Sequence, residues 1–269
     1  MLRSVFCCVF LLTALFIVGL SSALAAWTQK EGEGLSITSG FLSDADERFS
    51  TDGGREAAIP FNAALVQFYG AYGVRDWLTA ITGGGYLWRQ SGRSDDTLLI
   101  ATIEPTEIGA RIRLYAEGSS VISVQPLLRV PGELGGTVIG PYGSQGYDIE
   151  TRVLFGHNET LFGLPMFMDA QAAYRYRFGG EADELRLDLT AGATVFPQLH
   201  LLLQSFTVIG VGEAEPPFLA YDQVKLQASA VYEVFDGVSI QAGLSATLYG
   251  REVIAERGAM LGLWWRYSL

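Results

Sequence analysis

Residues 223–249 read QVKLQASAVYEVFDGVSIQAGLSATLY, and apolar and polar side chains alternate strictly on both sides of a short joint. The apolar positions are Val224, Leu226, Ala228, Ala230, Tyr232 and Val234, then Val238, Ile240, Ala242, Leu244, Ala246 and Leu248. A period of two residues is that of a β-strand, and it does not fit the 3.6-residue period of a helix. The joint FDG at 235–237 is tight, so the stretch predicts two antiparallel strands.

The same alternation recurs along the chain. Segment 184–195 shows it clearly, and segment 106–115 places Ile108, Ala110, Ile112 and Leu114 on one face and Glu107, Arg111, Arg113 and Tyr115 on the other. Weaker versions occupy residues 33–42, 61–72, 77–88, 121–130, 147–156, 166–178, 199–211 and 258–269. The sequence therefore predicts an all-β chain with about twelve strands.

The first 25 residues have the form of a secretory signal peptide. Arg3 precedes a long apolar run, and Ala23 and Ala25 occupy positions −3 and −1 of a cleavage site. We expect residues 1–25 to be removed and residues 26–269 to form one mature domain. An uncleaved membrane anchor is the alternative interpretation.

No later stretch contains the roughly 20 unbroken apolar residues that a membrane-spanning helix needs. An exported apolar chain without such a helix can cross a bilayer only as a closed barrel, because lipid cannot satisfy free backbone groups. A soluble β-sandwich would also alternate, but the strands are long for that fold. The chain has two cysteines, Cys7 and Cys8, and both lie in the leader, which excludes a disulfide or thiolate metal site from the mature domain.

The joints between strands are alternately short and long. Short joints stand at 73–76, 117–120, 196–198 and 235–237, whereas residues 43–60 and 131–146 form long polar joints. Short turns at one rim and long loops at the other are typical of an outer-membrane barrel. Two joints fit this scheme poorly, since 157–165 is long for the short side and 179–184 is short for the long side.

The chain ends in MLGLWWRYSL at 260–269, which predicts a closing strand with Leu261, Leu263, Trp265, Tyr267 and Leu269 directed toward lipid. This ending resembles the carboxyl-terminal signal that outer-membrane barrels present to the barrel-assembly machinery. The glycine and two aromatic residues of that signal correspond to Gly262, Trp265 and Tyr267. The last position departs from it, because Leu269 stands where Phe is usual.

AWTQKEGEG at 26–34 and YGAYGVRDWLTA at 69–80 resemble a family of small proteobacterial outer-membrane proteins. These are the channel proteins associated with the meta-pathway of phenol degradation, together with their relatives. The resemblance covers the mature start, the second hairpin and the general strand plan. It implies a channel for small solutes such as aromatic or organic acids, without catalytic residues or a cofactor.

Charged residues on the predicted inner face are the candidate functional residues. Those that we expect to line the lumen are Glu107, Arg111, Arg113, Arg129, Glu150, Arg152, Arg175, Arg186, Asp188, Lys225 and Arg266. Buried charges must be paired or hydrated. They therefore either tie the strands together and plug the interior, or line a hydrated path and set its selectivity. Eight strands leave a filled barrel and sixteen leave an aqueous channel, and twelve lie between these sizes.

Catalysis is not indicated by the residues. Two histidines are present, and we expect both at the rim that carries the short turns. His157 would lie in a joint there, and His200 at the start of a strand. Neither is followed two residues later by a serine, which argues against a Ser/His hydrolase. Acidic residues Asp44, Asp46, Glu47, Asp95 and Asp96 are expected in outer loops, either solvated or bridged by divalent cations to lipopolysaccharide.

The sequence thus predicts a closed antiparallel transmembrane β-barrel of the Gram-negative outer membrane, in contact with its lipid and lipopolysaccharide. A net charge of −11 without a basic stripe argues against nucleic acid as a partner. A passive narrow channel for small solutes is the favoured function. A structural or envelope-adhesion barrel without transport is the first alternative, and a lipid-modifying enzyme is the second.

Overall fold

A computed structural model describes residues 25–92, 98–132, 146–216 and 218–269. Strands occupy most of them: β1 (Glu33–Phe49), β2 (Arg55–Arg75), β3 (Leu78–Ser91), β4 (Leu98–Glu117), β5 (Ser120–Val130), β6 (Asp148–Leu161), β7 (Leu164–Arg177), β8 (Asp183–Phe196), β9 (Leu199–Val211), β10 (Asp222–Phe235), β11 (Val238–Arg251), β12 (Val253–Ile254) and β13 (Arg257–Ser268). The described ranges contain no helix that is long and apolar enough to cross a membrane.

The sheet is closed. Each long strand pairs antiparallel with its neighbours in sequence, and β1 pairs with β2 on one side and with β13 on the other. Gly34, for example, lies opposite both Tyr72 and Tyr267. The predicted barrel of twelve strands is therefore confirmed, and β12 is a two-residue addition that pairs with the end of β1.

All five connections at one rim, here called the short-turn rim, consist of two residues, at 76–77, 118–119, 162–163, 197–198 and 236–237. The prediction of a long joint at 157–165 is wrong, because β6 continues to Leu161 and β7 begins at Leu164. Phe162 and Gly163 have φ angles of 53° and 80°, the left-handed values that a tight hairpin turn requires. His157 consequently lies within β6 and not in a joint.

At the opposite rim, the prediction that Asp44, Asp46 and Glu47 lie in a loop is also wrong. All three belong to β1, and the connection to β2 is limited to residues 50–54. Ion pairs link the two strands of this upper hairpin, such as Arg55 with Glu47 at 3.1 Å. A strand that rises above the membrane can be polar on both faces, and it then lacks the alternation that identifies a strand in sequence.

The remaining connections at this rim are described in part. The connection from β7 to β8 has only five residues, 178–182, so it is as short as the sequence suggested. Asp95 and Asp96 lie outside the described residues, as do 133–145 of the predicted long joint and residues 1–24 of the predicted signal peptide.

Strand β8 illustrates how the alternation directs side chains. Leu185, Leu187 and Leu189 are exposed on the outer face, and Arg186 and Asp188 between them are buried inside the barrel. A bulge in β4 between Arg113 and Tyr115 interrupts this rule. Tyr115 pairs with Ile122 and is exposed on the outer surface, so the expectation that it faces inward is wrong.

The outer surface carries the apolar belt that a lipid bilayer requires. Exposed residues of this belt include Leu42, Val66, Ile108, Leu128, Val153, Leu187, Leu203, Leu244, Leu261 and Leu263. Large aromatic side chains are exposed at or beside the short-turn rim, namely Trp77, Tyr115, Phe162, Phe196, Phe235 and Trp265. Aromatic girdles mark the membrane–water interface in transmembrane barrels, so this rim lies at one membrane surface.

Candidate functional site: the barrel interior

One side of the interior is covered by a connected set of ion pairs, here called the ionic network. It joins five arginines to six carboxylates contributed by β4 to β8 and the connection between β7 and β8. Its members are Glu107, Arg129, Asp148, Glu150, Arg152, Arg175, Arg177, Glu181, Glu184, Arg186 and Asp188.

Glu150 is a central member of the ionic network. Its Oε1 accepts from Arg152 at 2.8 Å, and its Oε2 accepts from Arg175 at 2.6 Å. Arg152 continues to Asp188 on β8, and Arg175 continues to Glu184 on the same strand. One carboxylate on β6 is thereby linked through two guanidinium groups to two positions of β8.

Glu184 forms the second junction. It accepts from Arg175, Arg177 and Arg186, and the hydroxyl group of Tyr221 donates to its Oε1 at 3.1 Å. At the far end, Arg129 joins Glu107 at 3.0 Å to Asp148 at 2.8 Å. Since buried charges are costly unless paired and hydrogen-bonded, these contacts are what permits so many charges inside the barrel.

The other side of the interior is mainly apolar, with Arg89 of β3 buried over the ring of Phe61. Inward residues of β1, β2, β3 and β13 form two buried clusters that include Ile37, Phe41, Phe61, Leu65, Tyr69, Ile81, Leu87, Met260 and Trp264. In a closed circle of twelve strands, β1 stands opposite β7, which carries part of the ionic network. The interior therefore has one charged wall and one apolar wall.

The two walls leave little space between them at the level of the ionic network. Arg175 and Arg186 each have 1% of their surface exposed, and Glu150 has none. Six of the eleven residues that we expected to line the lumen belong to the network as paired members and are buried, namely Arg129, Glu150, Arg152, Arg175, Arg186 and Asp188. Glu107 is a seventh member and is only partly buried.

The N-terminal segment, residues 25–32, enters the barrel at the short-turn rim and crosses its inner surface. Ala25 and Ala26 are buried against Val121 and Leu154, with Trp27 packed beside them. The hydroxyl group of Ser123 donates to the carbonyl oxygen of Ala26 at 2.6 Å. This segment covers part of the inner wall near the short-turn rim. Nothing in the alternation pattern of the sequence predicted its position.

Arg111 holds the same segment. Its Nη1 donates to the carbonyl oxygen of Trp27 at 2.9 Å, its Nε to Gln125 at 3.0 Å and its Nη2 to the Tyr69 hydroxyl group at 3.1 Å. A β-carbon on Gly156 would overlap with the Trp27 ring, so the glycine provides the space into which the indole fits. Arg111 thus anchors the N-terminal segment, whereas the sequence predicted only a charged lumen residue.

Three further predicted lumen residues lie apart from the ionic network. Lys225 donates to Glu256 at 2.7 Å, and both are buried. Arg113 and Arg266 have no ion pair with any carboxylate within the described ranges, and Arg266 is exposed at the short-turn rim. Arg266, His200, Trp264 and other side chains line a cavity of about 210 Å³.

The histidines contact hydroxyl groups of neighbouring strands. His157 Nδ1 lies 2.8 Å from Ser120 Oγ, and His200 Nδ1 lies 2.9 Å from Thr194 Oγ1. Among the described side chains, neither imidazole hydrogen-bonds to a carboxylate that could orient it as a general base. The same residues include no group of three or more histidine, cysteine or acidic side chains that could hold a metal ion.

The residues of the expected assembly signal lie on the closing strand. Trp265 is exposed on the outer face and contacts Tyr267, with ring centroids 5.1 Å apart. Gly262 faces inward opposite Ser39, and Leu269 donates its amide to the carbonyl oxygen of Gly32 at 2.9 Å. Trp265 is accessible from the membrane side, whereas Tyr267 is half-buried with its ring over Gly34.

No protein-family model matches the sequence, and no curated protein matches it significantly. Among solved structures, the COG4313 outer membrane channel from Pseudomonas putida F1 is similar over 90% of this chain and 98% of its own, with a TM-score of 0.68 and 13% identity. The chain shares its fold with this outer-membrane channel.

Two other solved barrels are similar at lower scores. The transport unit of the autotransporter AIDA-I from Escherichia coli matches over 93% of both chains, with a TM-score of 0.54 and 10% identity. The NanC porin matches 86% of this chain and 98% of its own, with a TM-score of 0.53 and 8% identity. Identities this low establish a shared fold, and residue roles must come from the geometry of this chain.

Proposed function

We propose that the chain is exported, loses residues 1–25, and acts in the Gram-negative outer membrane as a passive narrow channel for small solutes. The observation that carries this proposal is the interior with one charged wall and one apolar wall. A small organic acid has a carboxylate for a guanidinium group and an apolar body for the opposite wall. Aromatic and organic acids, the solutes implied by the family resemblance, fit this description.

Conductance of the purified protein in a planar lipid bilayer tests the proposal. Discrete, ohmic current steps are expected, with reversal potentials in an organic-acid gradient that report passage of the anion. Truncation before Gly32 removes the segment that covers the inner wall near the short-turn rim and should enlarge the current steps. A protein that inserts silently in both forms contradicts the channel.

A structural or envelope barrel without transport is the second candidate. It is favoured by the burial of the ionic network, whose arginines are held in cross-strand pairs. In that case neither the complete mature chain nor the truncated chain would conduct, although both would insert. We assign the barrel no catalytic activity and no cofactor.

Assembly and surroundings follow from the same proposal. The closing strand with Gly262, Trp265, Tyr267 and Leu269 would be the signal for the barrel-assembly machinery, and the short-turn rim would face the periplasm. The upper hairpin of β1 and β2 would then stand among lipopolysaccharide. Deleting residues 260–269 leaves the edges of β1 and β11 open, which lipid cannot tolerate. Normal amounts of the folded deletion variant in the outer membrane would contradict this assignment.

A further inference from the structure

The backbone nitrogen of Ala26 lies inside the barrel, 2.6 Å from Oδ2 of Asp169. The second carboxylate oxygen, Oδ1, accepts from the side-chain amide of Gln171 at 2.7 Å. Asp169 is buried, and within the described residues no lysine or arginine forms an ion pair with it. A buried carboxylate without an ion-pair partner is costly. Arg111 and Arg152 act on Asp169 only from beyond ion-pair distance, so it lacks a directly bonded positive charge.

Removal of the leader would supply that charge. Hydrolysis of the bond between Ala25 and Ala26 by water leaves a carboxylate on Ala25 and an α-amino group on Ala26, which is mostly protonated at neutral pH. The nitrogen that receives the charge is the one already in contact with Asp169. Ala26 is also the first residue of the predicted mature chain.

We propose that Asp169 is the binding site for the α-ammonium group of the mature chain, and that this pair locks the N-terminal segment inside the barrel as a plug. The proposal rests on cleavage after Ala25, which belongs to the proposed function, and it does not depend on conduction. Three further contacts position the terminus, because Ser123 and Arg111 bind the carbonyl oxygens of Ala26 and Trp27, and Thr79 accepts the amide of Gln29.

The pair couples maturation to closure of the barrel. A precursor presents an uncharged amide at this position, whereas the mature chain presents an ammonium group, and a charge-assisted hydrogen bond is stronger than a neutral one. The plug would therefore be seated firmly only after the leader has been cleaved.

Trimming by an aminopeptidase tests the site without reference to transport. The purified outer-membrane protein is first identified by mass spectrometry as beginning at Ala26, and release of Ala26 is then followed with time. Wild-type protein should be trimmed slowly, because its terminus is enclosed. Asp169→Asn keeps the shape but removes the charge, and trimming should become roughly tenfold faster, the factor that corresponds to a hydrogen bond to a charged group.

Two controls separate the pair from general loosening of the barrel. Asp44→Asn removes an exposed carboxylate that pairs with Arg257, and it should leave the trimming rate unchanged. Heat-modifiable migration in mild detergent verifies that each variant is a folded barrel.

A chemical variant covers the case in which Asp169→Asn does not fold. Wild-type protein is acetylated selectively at the α-amino group while unfolded, refolded, and examined in a planar bilayer. In a protein that conducts, acetylation should raise the fraction of time that the channel is open about tenfold. Acetylation of Asp169→Asn should have no further effect, since both changes abolish the same pair. If the protein does not conduct in any form, accessibility of Trp27 to an aqueous quencher replaces the current.

A mature chain that begins elsewhere than Ala26 overturns the proposal, as does trimming of Asp169→Asn at the wild-type rate. Additive effects of acetylation and Asp169→Asn would also overturn it. A silent bilayer combined with accelerated trimming would contradict the channel and leave the ammonium site supported.

Discussion

The ring of Tyr267 lies over the α-carbon of Gly34, across the seam at which β13 and β1 close the barrel. A β-carbon at Gly34 would overlap with the ring. Gly40 stands six residues later on the same strand, and a β-carbon there would meet no atom within 4 Å. The two glycines therefore form a matched pair for testing the seam.

Gly34→Ala should destabilise the barrel by about 1–3 kcal/mol, because the aromatic ring must leave its place. Gly40→Ala should have an effect close to zero. Urea unfolding in detergent, followed by tryptophan fluorescence, gives both values. The effect of Gly34→Ala should largely vanish in a Tyr267→Ala background, and its persistence there would show that the ring does not occupy this space.

Leu187 tests the lipid-facing surface. It is exposed on the outer face of β8, and Leu187→Arg should cost about 2–4 kcal/mol if it lies near the middle of the bilayer. Phe235→Arg, at the short-turn rim, should cost about 0–1 kcal/mol, since water is within reach there. The free energy of unfolding of both variants is measured in lipid vesicles. Equal losses would show that the assigned position of the barrel in the membrane is wrong.

Glu150 tests whether the ionic network holds the strands together. Glu150→Gln leaves Arg152 and Arg175 with one carboxylate fewer, and the loss should be about 3–5 kcal/mol, as for other broken buried pairs. Asp44→Asn, which removes one partner of an exposed pair with Arg257, should leave the denaturation midpoint close to that of the wild type. A denaturation midpoint of Glu150→Gln equal to that of the wild type would mean that water reaches the network.

Arg113 and Arg266 test selectivity. Both are predicted lumen residues without a carboxylate partner in the described parts of the chain, so either can act on a passing ion. Replacing both by Gln should shift the reversal potential in a salt gradient toward cations, and the shift should shrink at high salt because of screening. Replacing both by Lys retains the charge and should retain the reversal potential. If the Gln and Lys variants behave alike, these residues do not lie on the path.

The faces of the membrane-spanning strands could be predicted because a period of two residues is visible in one chain. Partners could not be predicted, since whether Arg152 of β6 also reaches Asp188 of β8 depends on the register of separate strands and on rotamers. Strands above the membrane, such as the end of β1, lose the alternation and were mistaken for a loop. The N-terminal segment has no period at all, so its place inside the barrel came only from the structure.

The raised hairpin of β1 and β2 has a practical consequence. Residues 50–54 form a compact turn, in which Asp52 accepts from the Ser50 hydroxyl group at 2.5 Å and Gly53 adopts a positive φ of 80°. The Ser50 hydroxyl group, with a weaker contribution from the Gly54 amide, lowers the pKa of Asp52 because both donate hydrogen bonds to its carboxylate. Because β2 has 21 residues and about 9–11 are enough to cross the membrane, this turn stands well clear of the lipid. It is thus a natural position for an inserted epitope, which antibodies outside an intact cell could reach.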